Sequence, residues 1–322
     1  MNNILITSAG RRVSLVKAFK QEIKAKAANS KVFVSDASPL LSSAAQVADS
    51  YFDTFLLSDE RYIEDLLNKC IQNNIVLIIP TIDTELIVLA QNKERFLNHN
   101  ISIVISDEYF IEIAESKLKS TVFFEKYNLE SPQVYQKDDY KLPMFVKPIN
   151  GSNSVDNYIV KTENQVLDYF FKNDSLYFFE YLDHDLYDEY TCDLYYSKDS
   201  ELKCVIPRKR IEVRGGEVSK GITKKNRIKK FVEDNFASIK GARGCITLQL
   251  FMHKETEALK GIEINPRFGG GYPLSYLAGG NYPKWILEEY IYNETLEYHH
   301  DWEDNLLMLR YDDEVLVHGY EG

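Results

Sequence analysis

Basic residues are in short supply: 38 Lys and Arg stand against 49 Asp and Glu, a net charge of −11 over 322 residues. Binding to nucleic acid or to anionic lipid needs a basic surface, so neither is an expected partner, and any anion must be met by local cations. Cysteine is scarce as well. Cys70, Cys192, Cys204 and Cys245 are far apart in apolar contexts, without a C-x-x-C or nearby-His pattern, so buried thiols are expected rather than zinc, disulfides or redox chemistry. No window approaches the ~18 uninterrupted apolar residues of a membrane span, and the start MNNILITSAGRR has no apolar leader core, so the expected location is the cytoplasm. His253, His299, His300 and His318 lack ligand spacing, and there is no Ser-His-Asp or Cys-His arrangement, internal repeat or low-complexity segment.

What is present suits an enzyme-sized globular chain: 44% hydrophobic and 27% charged residues can bury a substantial core in two or three domains. The first hundred residues alternate strand and helix. Strands are expected at 4–7, 32–35, 76–80 and 101–105, with helices at 13–26, 62–70 and from Thr84, the pattern of a doubly wound parallel sheet. The turn Ser8-Ala9-Gly10-Arg11-Arg12 occupies the phosphate position of such a sheet but carries one glycine and no G-x-G-x-x-G, which gives little support to a nicotinamide cofactor.

Chemistry concentrates between Arg243 and Gly271. Ile246, Leu248 and Leu250 alternate with Thr247, Gln249 and Phe251, and Ile262 and Ile264 alternate with Glu263 and Asn265, as two strands of a hairpin require. A turn centred on Thr256 sets Gln249 opposite Glu263, roughly 5 Å apart at Cβ, with Asn265 two residues along. Three oxygen ligands of this kind suit Mg²⁺, which keeps room for water and phosphate oxygens, with Mn²⁺ as an accepted substitute. The same alternation also describes an ordinary half-exposed hairpin. It is followed by Asn265-Pro266-Arg267-Phe268 and three glycines, which place a guanidinium two residues past a candidate ligand and permit close backbone approach.

These residues resemble the ATP-grasp superfamily, and most closely its carbamoyl-phosphate-synthase-like group, in which an earlier strand offers Gln and a later one reads E-I-N-P-R. The resemblance implies an N-terminal doubly wound domain over residues 1–110, a small lid-bearing lobe over 111–178 and a large lobe with the metal hairpin over 179–322. That is α/β followed by a two-lobed α+β ATP-grasp domain. It assigns Lys117, in a helix expected from about Ile111 to Tyr127, and Lys147, ending the strand Met144-Phe145-Val146-Lys147-Pro148, to nucleotide phosphates. An unpaired ammonium in an apolar strand is costly, which independently favours an anion beside Lys147. Ser152 and Ser154 fall in a small polar loop resembling the family lid. Glu180, Tyr181 and Leu182 stand at the adenine hinge, and Glu189 stands at the ribose hydroxyls in D-E-Y-T-C-D, where Asp188 replaces the usual Gly.

Two arginine clusters remain. Arg11 and Arg12, at the carboxyl edge of the first sheet, either meet a carboxylate substrate or are simply solvated. Alternation along 202–213 sends Arg208, Arg210 and Arg214 to one face, where they suit ATP and a carboxylate or form a solvated edge. The resemblance implies an ATP- and Mg²⁺-dependent carboxylate–amine ligase. It has Arg267 and Asn265 in the phosphoryl-transfer step, Gln249, Glu263 and Asn265 on the metal, and an acylphosphate intermediate attacked by an amine-type nucleophile. The partners are small molecules, a homodimer is allowed, and the alternative is an ATP-binding regulatory or assembly module with little turnover.

Overall fold

The computed structural model describes residues 2–148 and 156–320. Five strands, β1 (Asn3–Thr7), β2 (Val32–Asp36), β3 (Ser50–Asp53), β4 (Ile75–Ile79) and β5 (Ser102–Ile103), form a parallel sheet in the order β3-β2-β1-β4-β5. The helices among them are α1 (Val13–Lys26), α2 (Ser43–Val47), α3 (Tyr62–Gln72), α4 (Asp83–Gln91) and α5 (Lys93–Leu97). The order reverses between β1 and β4, so the crevice at their carboxyl ends is the natural ligand position of this topology. The edge strand β3 has no counterpart in the sequence reading, because only alternate residues of Ser50–Asp53 are even partly buried.

The expected helix from Ile111 to Tyr127 is instead two: α6 (Glu108–Glu115) and α7 (Lys117–Lys126). Ser116 breaks it. Its backbone is extended (φ −109°, ψ 116°) and its hydroxyl accepts from the Lys119 N–H, a helix-starting cap that leaves Lys117 as the first residue of α7. A four-stranded sheet follows in the order β6-β9-β7-β8, built from β6 (Val134–Tyr135), β7 (Met144–Pro148), β8 (Tyr158–Val160) and β9 (Leu176–Glu180), with α8 (Asp168–Lys172) packed on it.

The third sheet has six strands in the order β14-β13-β10-β11-β12-β15, all antiparallel: β10 (Tyr187–Tyr196), β11 (Leu202–Arg214), β12 (Glu217–Thr223), β13 (Gly244–His253), β14 (Leu259–Asn265) and β15 (Leu307–Leu309). Its outer face buries Cys192, Leu194, Leu248 and Leu250 against α9 (Arg227–Asn235) and α7. The inner face is divided lengthwise. Tyr195, Cys204, Ile206 and Cys245 join a core shared with Ile4 and Ile6 of β1, with Phe19 of α1 and with α10 (Tyr272–Leu277) and α11 (Tyr282–Tyr290), while the rows beyond are polar. Phe268 belongs to that shared core, edge-to-face with Phe19 at 6.0 Å and with Tyr272 at 4.7 Å. Burying a Phe contributes about 1.5–3 kcal/mol, so this ring pins the segment directly after Arg267 between the two sheets.

All four cysteines are free and buried. Among the described residues no helix is long and apolar enough to cross a membrane.

Candidate active site

The polar part of the inner face is arranged in rows. Directly paired residues of an antiparallel ladder share a face, so Arg208, Thr191, Gln249 and Glu263 form one row across β11, β10, β13 and β14, and Asp193, Thr247 and Asn265 form the next. The expected pairing of Gln249 with Glu263 is present, but through a bulge. Met252 pairs with Leu259 and Leu250 with Gly261, whereas Gln249 pairs with Glu263, so Ile262 is an extra residue. Without that insertion a one-residue slip would turn Glu263 to the opposite face. The bulge adjoins Gly261, where a Cβ would come within 2.7 Å of Leu129, so α7 and its following turn press on the backbone there.

Within the rows, Gln249 Nε2 donates to Glu189 at 2.6 Å, and Arg210 lies 3.2 Å from the same carboxylate. Burial nonetheless pushes the Glu189 carboxyl up, outweighing Arg210 and Gln249. Asn265 Nδ2 donates to Glu263 at 3.1 Å, and Asn265 Oδ1 accepts from Arg267 at 3.3 Å. Lys147 faces this group from the four-stranded sheet, its Nζ 4.7 Å from the Phe179 ring centre. Burial brings its pKa down to about 8, helped by the like charge of Lys117 and opposed by Glu263. Lys117 is lowered by burial too, again opposed by Glu263. The structure therefore brings Lys117, Lys147 and Glu263 into one electrostatic neighbourhood from three separate elements.

At the hinge, Glu180 accepts from Lys260 Nζ at 2.6 Å and from the Gln133 N–H at 3.1 Å, so its side chain is engaged within the protein. Lys161 lies 5.7 Å from the Tyr181 ring centre, and Leu182 is buried. Ser152 and Ser154 lie outside the described residues.

The arginines part company from their expected grouping. Arg208 is 2% exposed and forms a bidentate pair with the fully buried Asp193 at 2.8 and 3.0 Å, which makes it a core brace rather than a substrate contact. Past Arg210, register shifts on both sides of Glu212 break the alternation, and residues 211–214 are exposed. Arg214 thus ends on the outside, paired with Asp312. Arg210 alone of the three stays in the site. Arg12 is spent on carbonyls, donating to Phe268 O at 3.1 Å and Thr81 O at 3.0 Å. Its pKa falls to about 10, through burial first and the nearby Arg267 second.

Arg267 reaches back to the start of α4, donating to Asp83 at 2.5 Å, and also to Phe268 O at 3.3 Å, and its buried Nε has no partner among the described residues. The three glycines do permit close approach, but of protein side chains. A Cβ would lie 2.8 Å from Thr247 Oγ1 at Gly269, 2.6 Å from Glu217 Cδ at Gly270 and 2.1 Å from Arg208 Nη1 at Gly271.

Sequence reasoning missed Asp193, Glu85, Glu217 and Arg310. Glu85 is fully buried and accepts from the Thr81 and Ile82 N–H groups and the Thr7 and Ser8 hydroxyls, tying together the carboxyl ends of β1 and β4. Its sequence signal is an acidic residue at the third position of α4, where a carboxylate can cap the helix start. Glu217 directly follows the Gly215-Gly216 turn of positive φ, and nothing near Arg310 marks it.

No curated protein matches the sequence. Family models match at both ends, one described as the PylC-like N-terminal domain over residues 4–104 and one as ATP-grasp in the biosynthetic pathway with Ter operon over residues 173–311. Among solved structures, the biotin carboxylase domain dimer of Hydrogenobacter thermophilus 2-oxoglutarate carboxylase, in complex with MgADP, ADP and bicarbonate, matches with a TM-score of 0.70. The identity is 11% over 95% of this chain and 73% of that one. The ADP complex of Staphylococcus aureus N5-carboxyaminoimidazole synthetase matches with a TM-score of 0.68 and 16% identity over 96% and 80%. Biotin carboxylase of Campylobacter jejuni gives 0.67 and 14% over 90% and 70%. Residues 173–311 are thus an ATP-grasp domain. It follows a PylC-like N-terminal domain.

Proposed function

We propose that this chain is a carboxylate–amine ligase that uses Mg-ATP to convert a small acid into an acylphosphate. The observation that carries the reading is the meeting of Glu263 and Asn265 at the end of β14 with Gln249 beside them on β13, Arg267 just beyond and Lys117 and Lys147 in the same electrostatic neighbourhood. Magnesium fits the donor set: Glu263 keeps an oxygen beyond the one bonded to Asn265, and Gln249, which donates through its nitrogen, keeps its amide oxygen. One carboxylate and neutral oxygens, without a closed cage of His, Cys, Asp or Glu among the described residues, suit an ion that keeps phosphate ligands. Glu263, Gln249 and Asn265 would hold it, and when bound it supplies positive charge to the phosphate oxygens.

In the first step a carboxylate oxygen of the acid bonds to the γ-phosphorus as the bond to ADP breaks. In the second the amine nitrogen bonds to the acyl carbon, phosphate leaves and the nitrogen loses a proton. Such transfer needs positioning and cations more than a covalent nucleophile. Arg267, held by Asp83 and Asn265, meets the transferring phosphoryl, and Lys117 and Lys147 hold the phosphates.

The test is ADP release over a library of amino acids and small carboxylates paired with amines. Turnover that depends on one acid supports the ligase. Tight ATP binding with no pair accelerating ADP release overturns it in favour of a regulatory ATP-binding module. With the cognate acid, Arg267→Lys keeps charge but loses the fork, and kcat should fall at least about tenfold with the ATP KM within about threefold.

Lys147 adds a pH dependence. The folded chain sheds this proton near pH 8, whereas the unfolded chain keeps it to its ordinary value of 10.5, so apo stability rises between those limits. ATP affinity runs the other way, weakening as pH passes through about 8 and the ammonium neutralises. Lys147→Met should weaken ATP about ten- to a hundredfold at pH 7 and flatten that limb, and calorimetry reads both. Equal affinity in mutant and wild type removes Lys147 from the site.

A further inference from the structure

Beside Arg267 lies a second cation-rich recess. A pocket of about 50 Å³ opens between the start of α1 and the segment 268–273, lined by Arg11, Arg12, Arg310 and the single carboxylate Glu217, together with Ser14 and the Gly269–Gly270 backbone. Three guanidiniums against one carboxylate leave two positive charges over, in a chain whose net charge is −11. The excess is structural. Among the described residues Arg12 bonds only carbonyls. Arg11 and Arg310 share one oxygen of Glu217, at 3.6 and 2.8 Å, and the Arg11 side chain is 75% exposed and free to turn toward another anion. Arg310 is fixed by Gly270 O at 2.5 Å, so its charge stays in the pocket whatever Glu217 does. The first turn of α1 adds to the positive potential, having neither an acidic residue nor a side-chain cap.

The pocket has room for roughly four water-sized groups, which fits one carboxylate or phosphate and not a whole metabolite. Arg267 and Gly270 are three residues apart, so the recess lies at most about 11 Å along the chain from the guanidinium at the transfer centre. Phe268 O, shared by Arg12 and Arg267, joins the two places.

We infer that this pocket holds a second anionic group of the acid substrate, a carboxylate or a phosphate monoester, gripped by Arg11 and Arg310 while Glu217 acts as the resident counter-ion that the ligand displaces. The ligase accordingly acts on a dianionic acid and not on a simple monocarboxylate, an inference that rests on the proposed function above.

The probes are succinate and inorganic phosphate, titrated by calorimetry into the full-length protein without nucleotide. Both should bind, and Arg11→Gln and Arg310→Gln should each weaken binding at least about tenfold, the loss of one charge-assisted contact. Glu217→Gln should tighten it several-fold by removing the competing charge. Arg11→Gln carries little risk to the fold, since its one ion pair is long and exposed, so the test stands even where Arg310→Gln unfolds. Tighter binding of succinate assigns a dicarboxylate, and tighter binding of phosphate assigns a phosphate monoester. No binding to the wild type, or unchanged affinity in Arg11→Gln, overturns the pocket. ATP titrated into the same proteins separates the two readings: ATP binding without anion binding sinks only this inference, and arginine-dependent anion binding without ATP binding sinks the ligase, leaving the pocket an anion site without the substrate assignment.

Discussion

Glu263→Ala is expected to abolish turnover, with a kcat loss of at least about a hundredfold, while leaving the fold nearly intact. Glu263 is the only carboxylate in its row, it orients Asn265 by accepting from Nδ2, and its charge offsets the burial of Lys117 and Lys147. It is itself only partly buried at the last residues of β14, so truncation leaves no cavity in the core. Two measurements separate its roles. Steady-state ADP release against Mg²⁺ concentration should show turnover lost at every level. ATP titrated without Mg²⁺ should bind at least as tightly as in wild type, because two lysines lose their competing anion. Unchanged activity at saturating ATP and low Mg²⁺ would refute the assignment.

Asp193→Ala should be the most destabilising single change in the large sheet, costing about 3–5 kcal/mol, the usual consequence of stranding one member of a buried ion pair. Asp193 takes both forks of Arg208, the Ser275 hydroxyl at 2.6 Å and the Thr247 hydroxyl at 3.2 Å, all of them buried. Arg208 has no room to swing out, because the Gly271 backbone closes over Nη1. Urea unfolding of the single variant and of Asp193→Leu combined with Arg208→Met measures this, and the double variant should recover most of the loss by replacing the pair with apolar volume. A single-variant loss below about 1 kcal/mol would show that the pair does not brace β10, β11 and α10 as the structure implies.

The sequence was most legible where periodicity and chemistry agreed. β1, α1, β2, α3 and β4 fall within a residue or two of their expected limits, since each is an apolar run or stripe between polar turns. The pair Gln249 and Glu263 was also readable, although for the wrong turn: the hairpin is centred between Glu255 and Thr256 and not on Thr256, and the extra residue Ile262 restores that partner. The helix break at Ser116 was less readable, because Glu115-Ser116-Lys117 is compatible with a continuous helix until the cap bond is seen. Arg208, Arg210 and Arg214 mark the clearest limit of period-two reasoning. One face was correct for the first two, but burial made Arg208 structural, and the register shifts around Glu212 sent Arg214 outside.

By itself, then, the sequence determined which side chains share a strand face and which local segments fold, because both follow from spacing along one chain. Only the tertiary structure decided which charges meet. Arg267 pairs with Asp83 across 184 positions, Arg12 with the Phe268 carbonyl across 256, and Arg310 with Glu217 across 93. No spacing rule reaches that far. A buried charge takes whatever partner the packing of two sheets around Phe268 brings within reach, and the same packing fixes which arginines are spent within the protein and which are left facing a ligand.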